Sequence, residues 1–348
     1  MKLEIAVKQV PLRAPFVTAS GSLSVRKLIL VTVTDATGAV GYGEAAPLRP
    51  YVNVSTGECV AALEDCRAVL AGAESEPREA ILAACARVAV LPRATAAIDL
   101  ALWDLEARRA GVPVWRLLSR GSAEPPGTEI EVNATIAAAD RAGAATAAAQ
   151  AREGGFGCVK VKVGLGDDAG RLAAVRAAAG PEMAIRVDAN GVWSVEEAVA
   201  SLRALEPAGI ELCEEPVSGL DELALVRDGT SVPIALDESA VLPGAFDRRV
   251  GDAVCLKITS CGGITGLLDA AARARLAGYE IYLASTLDGP LGIAAALHAA
   301  AVVHPDRACG LATLALFDER PDPFPAVGGR ITVPDGVGLG GDPGAWYR

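Results

Sequence analysis

The segment CVKVKV at residues 158–163 decides the fold, because it belongs to a series of short apolar segments that alternate with Ala-rich stretches of helical length. Continuous apolar strands that alternate with helices are typical of a parallel sheet covered by helices. The series begins at residue 130 and reads IEVNATI, CVKVKV, MAIRVDA, IELCEE, VPIALDE, AVCLKI, EIYLAS and CGLATL. Eight such units predict the α/β class and, within it, a (β/α)7β-type TIM barrel. No G-x-G-x-x-G follows the first segment, which argues against a dinucleotide-binding sheet.

The chain before the barrel predicts a smaller α+β unit. LILVTVTD at residues 28–35 alternates as a strand does, and residues 56–119 show helical spacing. The Gly- and Pro-rich segment GSAEPPGTE at residues 121–129 is typical of a linker. We therefore expect an α+β domain over residues 1–125, the barrel over residues 126–325, and a C-terminal segment, residues 326–348, that returns to the first domain.

Composition narrows the class of protein. The chain has 348 residues and a formal net charge of −11, which argues against broad nucleic-acid binding. The N-terminal sequence lacks the order of a signal peptide, and no apolar run reaches the roughly 20 residues of a membrane span. The eight cysteines form no C-x-x-C pair and predict buried thiols in a reducing compartment. We expect a cytoplasmic homo-oligomer that binds neither nucleic acid nor membrane.

Histidine is scarce in this chain. His298 and His304 are the only two, and His298 lies in an Ala-rich stretch that predicts a helix. This scarcity argues against a Ser-His-Asp triad and against a histidine-based zinc site. A catalytic base must therefore be Lys, Asp, Glu, Tyr or Cys.

Charged side chains occur at the ends of consecutive predicted strands, where a barrel places its active site. Lys160 and Lys162 share one side of their strand, because side chains alternate with a period of two. The next three strands end in carboxylates and the strand after them carries a lysine; these residues are Asp188, Glu214, Asp237 and Lys257. One such residue alone would be explained as a helix cap or a surface lysine. Burying six of them without a function would cost on the order of several kcal/mol each.

The pattern predicts a metal-assisted proton abstraction. Three converging carboxylates need a cation, and hard oxygen ligands without histidine favour Mg²⁺, with Mn²⁺ as the alternative. Such a metal binds a substrate carboxylate and stabilises the charge that forms when the adjacent carbon loses its proton. A lysine acts as the base only if its pKa falls toward neutrality, which a metal and a second ammonium group both promote. Lys162 has both neighbours, and Lys257 would face it across the barrel.

These motifs together resemble the enolase superfamily, specifically its muconate lactonizing enzyme subgroup. The barrel motifs are K-x-K at 160–162, D-x-N at 188–190, E-x-P at 214–216, D-E-S at 237–239, and Lys257 ahead of Gly262-Gly263. The first domain adds TASG at 18–21 and GYGEAAP at 41–47, so the resemblance covers nearly the whole chain. It implies that the first domain is a capping domain and that Asp188, Glu214 and Asp237 are the Mg²⁺ ligands. It also implies that Lys162 and Lys257 are the catalytic lysines and that Lys160 is an accessory lysine.

The resemblance implies several activities that share these residues and act on small-molecule carboxylates. They are o-succinylbenzoate synthase, N-succinylamino acid racemase, dipeptide epimerase and muconate cycloisomerase, besides other acid dehydrations. Dipeptide epimerases carry a D-x-D pair at the end of strand eight, whereas this chain reads GLATLAL at residues 310–316, similar to the synthases. STLDGPLG at residues 285–292 also resembles the synthase pattern, although its LDG resembles some cycloisomerases. The synthase is the leading expectation, and the expected substrate contacts are Ser20, Asn190, Ser285, Asp288 and Thr313.

Two other classes of function are compatible with a barrel. A barrel that only binds a ligand would have lost a metal-ligand carboxylate or Lys162, and all of these are present. An aldolase that forms a Schiff base needs one lysine but has no use for three carboxylates around a metal. Trapping of a substrate adduct by borohydride would distinguish the aldolase from the proton-abstracting enzyme.

Overall fold

The structure is a computed structural model. It describes residues 1–18, 21–49, 53–138, 140–318, 320–340 and 342–347.

The N-terminal part combines an antiparallel sheet with a layer of helices. Its three strands pair in chain order and are β1 (Lys2–Thr18), β2 (Gly21–Thr34) and β3 (Val40–Ala45). The helices are α1 (Thr56–Asp65), α2 (Arg67–Ala71), α3 (Arg78–Val88), α4 (Pro92–Ala110) and α5 (Val114–Leu118). Helix α4 crosses β3 so closely that a Cβ atom at Gly43 would collide with the Ala97 carbonyl. This close approach explains the glycines of the GYGEAAP motif, and the sheet and helices share one hydrophobic core.

The barrel sheet contains seven parallel strands among the described residues, paired in the order β5 to β11. They are β5 (Ala134–Ile136), β6 (Cys158–Lys162), β7 (Ala184–Asp188), β8 (Ile210–Glu214), β9 (Ile234–Leu236), β10 (Ala253–Leu256) and β11 (Glu280–Leu283). The helices are α6 (Arg141–Glu153), α7 (Asp168–Ala179), α8 (Val195–Leu205), α9 (Leu220–Gly229), α10 (Ile258–Cys261), α11 (Ile264–Leu276) and α12 (Pro290–Val303). Short 3₁₀ turns cover Glu206–Ala208, Glu238–Val241, Leu314–Leu316 and Pro343–Tyr347.

The eighth predicted strand is reduced to two bridges. Cys309 bridges Val132 next to the first barrel strand, and Gly310 bridges Ala284 at the end of the seventh, so these two residues close the barrel. The rest of CGLATL is not extended, because the chain turns into the 3₁₀ helix at Leu314. The predicted (β/α)7β-type barrel with an α+β unit in front of it is confirmed.

The first predicted barrel segment is divided between two sheets. Residues Glu129–Glu131 form β4, which pairs with β12 (Arg330–Thr332), and only its second half, β5, enters the barrel. Further along the tail, the Leu339 N–H donates to Asp104 Oδ1 at 2.7 Å, and the Tyr347 hydroxyl donates to Glu44. The tail therefore contacts both the barrel strand segment and the N-terminal part.

Buried thiols and a buried histidine belong to the packing of the molecule. All eight cysteines are free, and seven are buried. His298 lies in α12 and accepts a hydrogen bond at Nδ1 from the Trp115 N–H at 3.3 Å. Burial lowers the pKa of His298 to about 3, so this side chain is neutral. In the part of the chain that the structure describes, no helix has the length and apolarity needed to cross a membrane.

Candidate active site

The three predicted carboxylates lie side by side at one end of the barrel. Asp188 and Glu214 are the last residues of β7 and β8 and pair directly in the sheet register. Asp237 follows β9 immediately, and each of the three residues is at most 5% exposed. Parallel strands end at the same edge of a sheet, which is why residues 49 positions apart in sequence meet here.

The three lysines point at the same carboxylates. Lys160 Nζ lies 2.7 Å from Asp188 Oδ2 and 2.5 Å from Glu214 Oε1. Lys162 Nζ lies 2.6 Å from Asp188 Oδ2 and donates to Asn190 Oδ1 at 2.8 Å. Lys257 Nζ lies 2.5 Å from Asp237 Oδ2. Lys162 and Lys257 therefore approach the carboxylate cluster from different strands, β6 and the end of β10.

Burial and neighbouring charges shift the pKa values of these groups in opposite directions. Burial alone would lower the pKa of Lys160, but Asp188, Glu214 and Asp237 outweigh burial and raise it. Burial opposes ionisation of Asp188 as well, yet Lys160 and Lys162 hold the pKa of Asp188 below its usual range. For Glu214, burial wins over Lys160, so the pKa of this carboxyl is raised. Burial therefore favours the neutral form of Glu214.

The donor set fits a hard divalent cation. Asp188, Glu214 and Asp237 supply only oxygen, and no histidine lies among the described residues of the pocket. A carboxylate oxygen of Glu214, one of Asp237 and the Cys255 thiol lie within 4.8 Å of one another. Burial raises the pKa of the Cys255 thiol, which keeps it protonated and leaves the carboxylate oxygens as the donors. Mg²⁺ prefers such oxygens, and a dication would favour the ionised form of Glu214 against its burial.

A cavity opens beside this cluster and is lined in part by Lys160, Asp188 and Asp237. The Ser285 and Thr313 hydroxyls form one wall and lie 2.7 Å apart. The described lining is Phe16, Leu48, Thr135, Lys160, Lys162, Asp188, Asn190, Asp237, Glu238, Lys257, Ala284, Ser285, Thr286, Leu287, Gly310 and Thr313. Of the predicted substrate contacts, Asn190, Ser285 and Thr313 therefore line the cavity, and Ser20 lies outside the described residues.

Asp288 does not lie among the described residues that line this cavity. Its side chain is 1% exposed, and Oδ1 accepts a hydrogen bond from the Thr286 N–H at 3.3 Å. Burial raises the pKa of Asp288 and the charge of Arg26 opposes this rise; Arg26 also donates to the Thr286 and Leu287 carbonyls, each at 3.2 Å. The role of Asp288 as a substrate contact stays a prediction, and its hydrogen bond with the Thr286 N–H helps to fix the loop that forms a cavity wall.

Four residues at or next to the cavity were not predicted from the sequence: Phe16, Leu48, Glu238 and Tyr282. Phe16 and Leu48 belong to the N-terminal part of the chain, and only the three-dimensional structure brings them to the cavity at the barrel end. Glu238 was visible in the D-E-S motif, and its Oε1 accepts a hydrogen bond from Asn190 at 3.1 Å. Tyr282 donates to Glu214 Oε2 at 2.7 Å from beneath the cavity. A polar residue inside an apolar strand was the signal that could have identified Tyr282.

The match to known families covers both parts of the chain. Residues 1–119 match the family described as "Mandelate racemase / muconate lactonizing enzyme, N-terminal domain". Residues 143–344 match "Enolase C-terminal domain-like". The chain therefore belongs to the enolase superfamily, in its muconate lactonizing enzyme subgroup, as the motifs predicted.

Individual relatives include both isomerases and a lyase. The L-Ala-D/L-Glu epimerase of Bacillus subtilis is 33% identical over 318 residues, which is 86% of this chain and 84% of the relative. The o-succinylbenzoate synthase of Mycobacterium tuberculosis is 41% identical, but over 218 residues, 59% of this chain and 64% of the relative. The chain is thus an enzyme of a superfamily branch that contains isomerases and lyases.

Solved structures show the same architecture. A substrate-liganded complex of the B. subtilis epimerase has a TM-score of 0.89 at 30% identity and covers 98% of both chains. The dipeptide epimerase from Cytophaga hutchinsonii, complexed with Mg and the dipeptide D-Ala-L-Val, has a TM-score of 0.89 at 29% identity. That comparison covers 97% of this chain and 94% of the epimerase.

Proposed function

We propose that this enzyme removes a proton from the carbon next to a substrate carboxylate, with Lys162 as the base. Asp188, Glu214 and Asp237 would hold Mg²⁺, with Mn²⁺ as the alternative. The observation that carries this proposal is the convergence of three buried carboxylates and three lysines at one barrel end. The metal, when bound, supplies positive charge that stabilises the enolate formed by proton loss.

The chain's own residues divide the remaining work. Lys162 lines the cavity and is held by Asn190 Oδ1, which fixes the direction of its amino group toward the substrate. Lys257 lines the cavity from the neighbourhood of Asp237, so it approaches the substrate from a different side. We assign Lys162 to proton transfer and Lys257 to stabilising the developing negative charge. Lys160 contacts both Asp188 and Glu214 and would balance the negative charge of these two carboxylates.

The net reaction that we favour is an o-succinylbenzoate synthase-type dehydration. The acidic residues in the described lining are Asp188, Asp237 and Glu238, all at the ends of β7 and β9 on the metal side. The wall at the barrel closure offers Gly310 and the hydroxyls of Ser285 and Thr313. A substrate without a free ammonium group suits this wall, because an ammonium ion there would lack a carboxylate partner.

Epimerisation or racemisation is the second candidate function. Two lysines that reach the cavity from different strands suit a reaction that removes a proton from one face and returns it to the other. The similarity to an L-Ala-D/L-Glu epimerase extends over most of both chains. Among such substrates, N-succinyl amino acids fit the wall better than dipeptides do, because acylation removes the ammonium charge.

A direct comparison of substrates tests the proposal. We expect dehydration of the cyclohexadiene-carboxylate precursor of o-succinylbenzoate to show a higher kcat/KM than epimerisation of Ala-Glu. N-succinyl amino acids should rank above dipeptides in solvent-deuterium exchange at the α-carbon. Lys162→Ala is the control that assigns all measured turnover to this site. Epimerisation of Ala-Glu with the higher kcat/KM would overturn the dehydration assignment.

A further inference from the structure

Glu214 is held by a tyrosine from inside the barrel. The Tyr282 hydroxyl on β11 donates to Glu214 Oε2 at 2.7 Å, and both side chains are at most 1% exposed. The other oxygen, Oε1, accepts from Lys160 Nζ, which also contacts Asp188 Oδ2. Each oxygen of Glu214 therefore has its own donor, an ammonium group on Oε1 and a neutral phenol on Oε2.

A buried arginine fixes the tyrosine ring. The Arg186 guanidinium lies 4.2 Å from the centre of the Tyr282 ring, and its Nη1 donates to the Ala308 carbonyl at 3.1 Å. Arg186 is fully buried, and its Nε and Nη2 have no hydrogen-bond partner among the described residues. This cation stacks on the phenol, as expected for a cation over an aromatic face, and its Nη2 also lies 3.8 Å from Glu211 Oε2 in an ion pair. Arg186, Tyr282 and Glu214 form a continuous stack below the cavity.

We propose that Tyr282, positioned by Arg186, restricts Glu214 to metal binding through one oxygen and thereby selects Mg²⁺ over Ca²⁺. This inference rests on the proposed metal site. Ca²⁺ binds 6–8 oxygens, often with a carboxylate that contributes both of its oxygens, whereas Mg²⁺ requires a compact octahedral arrangement. A dication would take the place of the Lys160 ammonium group at Oε1, because the two carry charge of the same sign, whereas the neutral phenol can stay on Oε2. Glu214 would then offer one oxygen, which suits the smaller ion. Tyr282 is thus a positioning residue.

The test measures Mg²⁺ and Ca²⁺ dissociation constants by isothermal titration calorimetry for the wild type and Tyr282→Phe. Loss of a partner behind a metal ligand typically weakens binding about 10- to 100-fold, which we expect for Mg²⁺. Ca²⁺ binding should weaken much less, because Ca²⁺ can bind the Oε2 atom that the phenol no longer holds. The ratio of the Mg²⁺ to the Ca²⁺ dissociation constant should therefore rise at least about tenfold. Arg186→Met should change the ratio in the same direction.

Tyr279→Phe is the matched control. Its hydroxyl is also buried but accepts from the Val250 N–H at 2.8 Å and donates to the Arg248 carbonyl, and it is not among the described residues that line the cavity. This variant should leave both dissociation constants unchanged. Equal weakening of both ions in Tyr282→Phe, or no change in either, would overturn the inference.

Two further results separate this inference from the proposed function. A wild-type protein that binds neither ion would show that the proposed metal site itself is wrong, and the inference falls with it. If Tyr282→Phe does not fold, a crystal structure of the wild-type Ca²⁺ complex decides the matter. One Glu214 oxygen on the metal and the other on Tyr282 would support the inference, and two oxygens on the metal would refute it.

Discussion

Replacing Glu44 by Gln should change how the stability of this protein depends on pH. Glu44 lies on β3, fully buried, where Oε1 accepts from the Gly289 N–H at 2.8 Å and Oε2 accepts from the Tyr347 hydroxyl. Burial raises the pKa of Glu44 from 4.5 to about 8, and Asp288 adds to this, whereas Tyr347, Gly289 and Arg26 oppose it. Between pH 4.5 and about pH 8 the Glu44 carboxyl is therefore protonated in the folded protein and ionised in the unfolded chain.

The size of the effect follows from this difference. Below pH 4.5 both states carry the proton, so burial of the neutral carboxyl has no pH-dependent cost. As pH rises toward about 8, the unfolded chain gains by releasing the proton, and stability falls by up to about 1.4 kcal/mol per pH unit. The loss across the window is on the order of 5 kcal/mol. Gln keeps the shape and hydrogen bonding of the neutral carboxyl but does not titrate.

The assay is urea unfolding of the wild type and Glu44→Gln at pH 5, 6, 7 and 8, with EDTA present to remove metal effects. We expect the free energy of unfolding of the variant, relative to the wild type, to increase by about 1 kcal/mol per pH unit. The exposed Glu182→Gln serves as the control and should give a difference independent of pH. A constant difference between Glu44→Gln and the wild type from pH 5 to pH 8 would refute the reasoning.

Further predictions concern the active site. EDTA should abolish activity and Mg²⁺ or Mn²⁺ should restore it, and Asp237→Asn should weaken Mg²⁺ binding at least about tenfold by calorimetry without loss of the folded circular dichroism spectrum. In dehydration assays, Lys257→Ala should lose about 10²–10³ in kcat, whereas Lys257→Arg, which keeps the charge but is a poor base, should retain clearly more activity. Equal inactivity of both variants would instead favour a two-base racemase. Thr313→Val removes the hydroxyl that contacts Ser285 and should raise KM more than it lowers kcat, in steady-state kinetics.

The sequence predicted the barrel and its charged cluster because both depend on local patterns. Strand alternation placed Lys160 and Lys162 on one side of β6, and the rule that barrel chemistry lies at strand ends brought Asp188 and Glu214 together. The geometry agrees, since these two residues pair in register. Their roles as metal ligands remain a proposal.

The parts that the sequence did not predict depend on long-range packing. No local pattern predicts the contacts beside Asp288, where Arg26 on β2 donates to the carbonyl of Leu287, 261 residues further along the chain. The last strand segment pairs only at Cys309 and Gly310, because the chain turns directly afterwards. The Arg186–Tyr282 stack joins two strands that are not neighbours in the sheet, so no pattern within one strand reveals it.

Solvent-deuterium exchange tests the central claim most directly. The wild-type enzyme with Mg²⁺ is incubated in D₂O with the o-succinylbenzoate precursor, N-succinyl amino acids, dipeptides and muconate, and NMR follows the α-proton and product formation. We predict α-proton loss on at least one carboxylate of this panel, through dehydration or exchange, and none with EDTA or with Lys162→Ala. Turnover that persists in Lys162→Ala or after complete removal of metal would contradict proton abstraction by Lys162 at this metal site, as would the absence of any α-proton loss in the wild type.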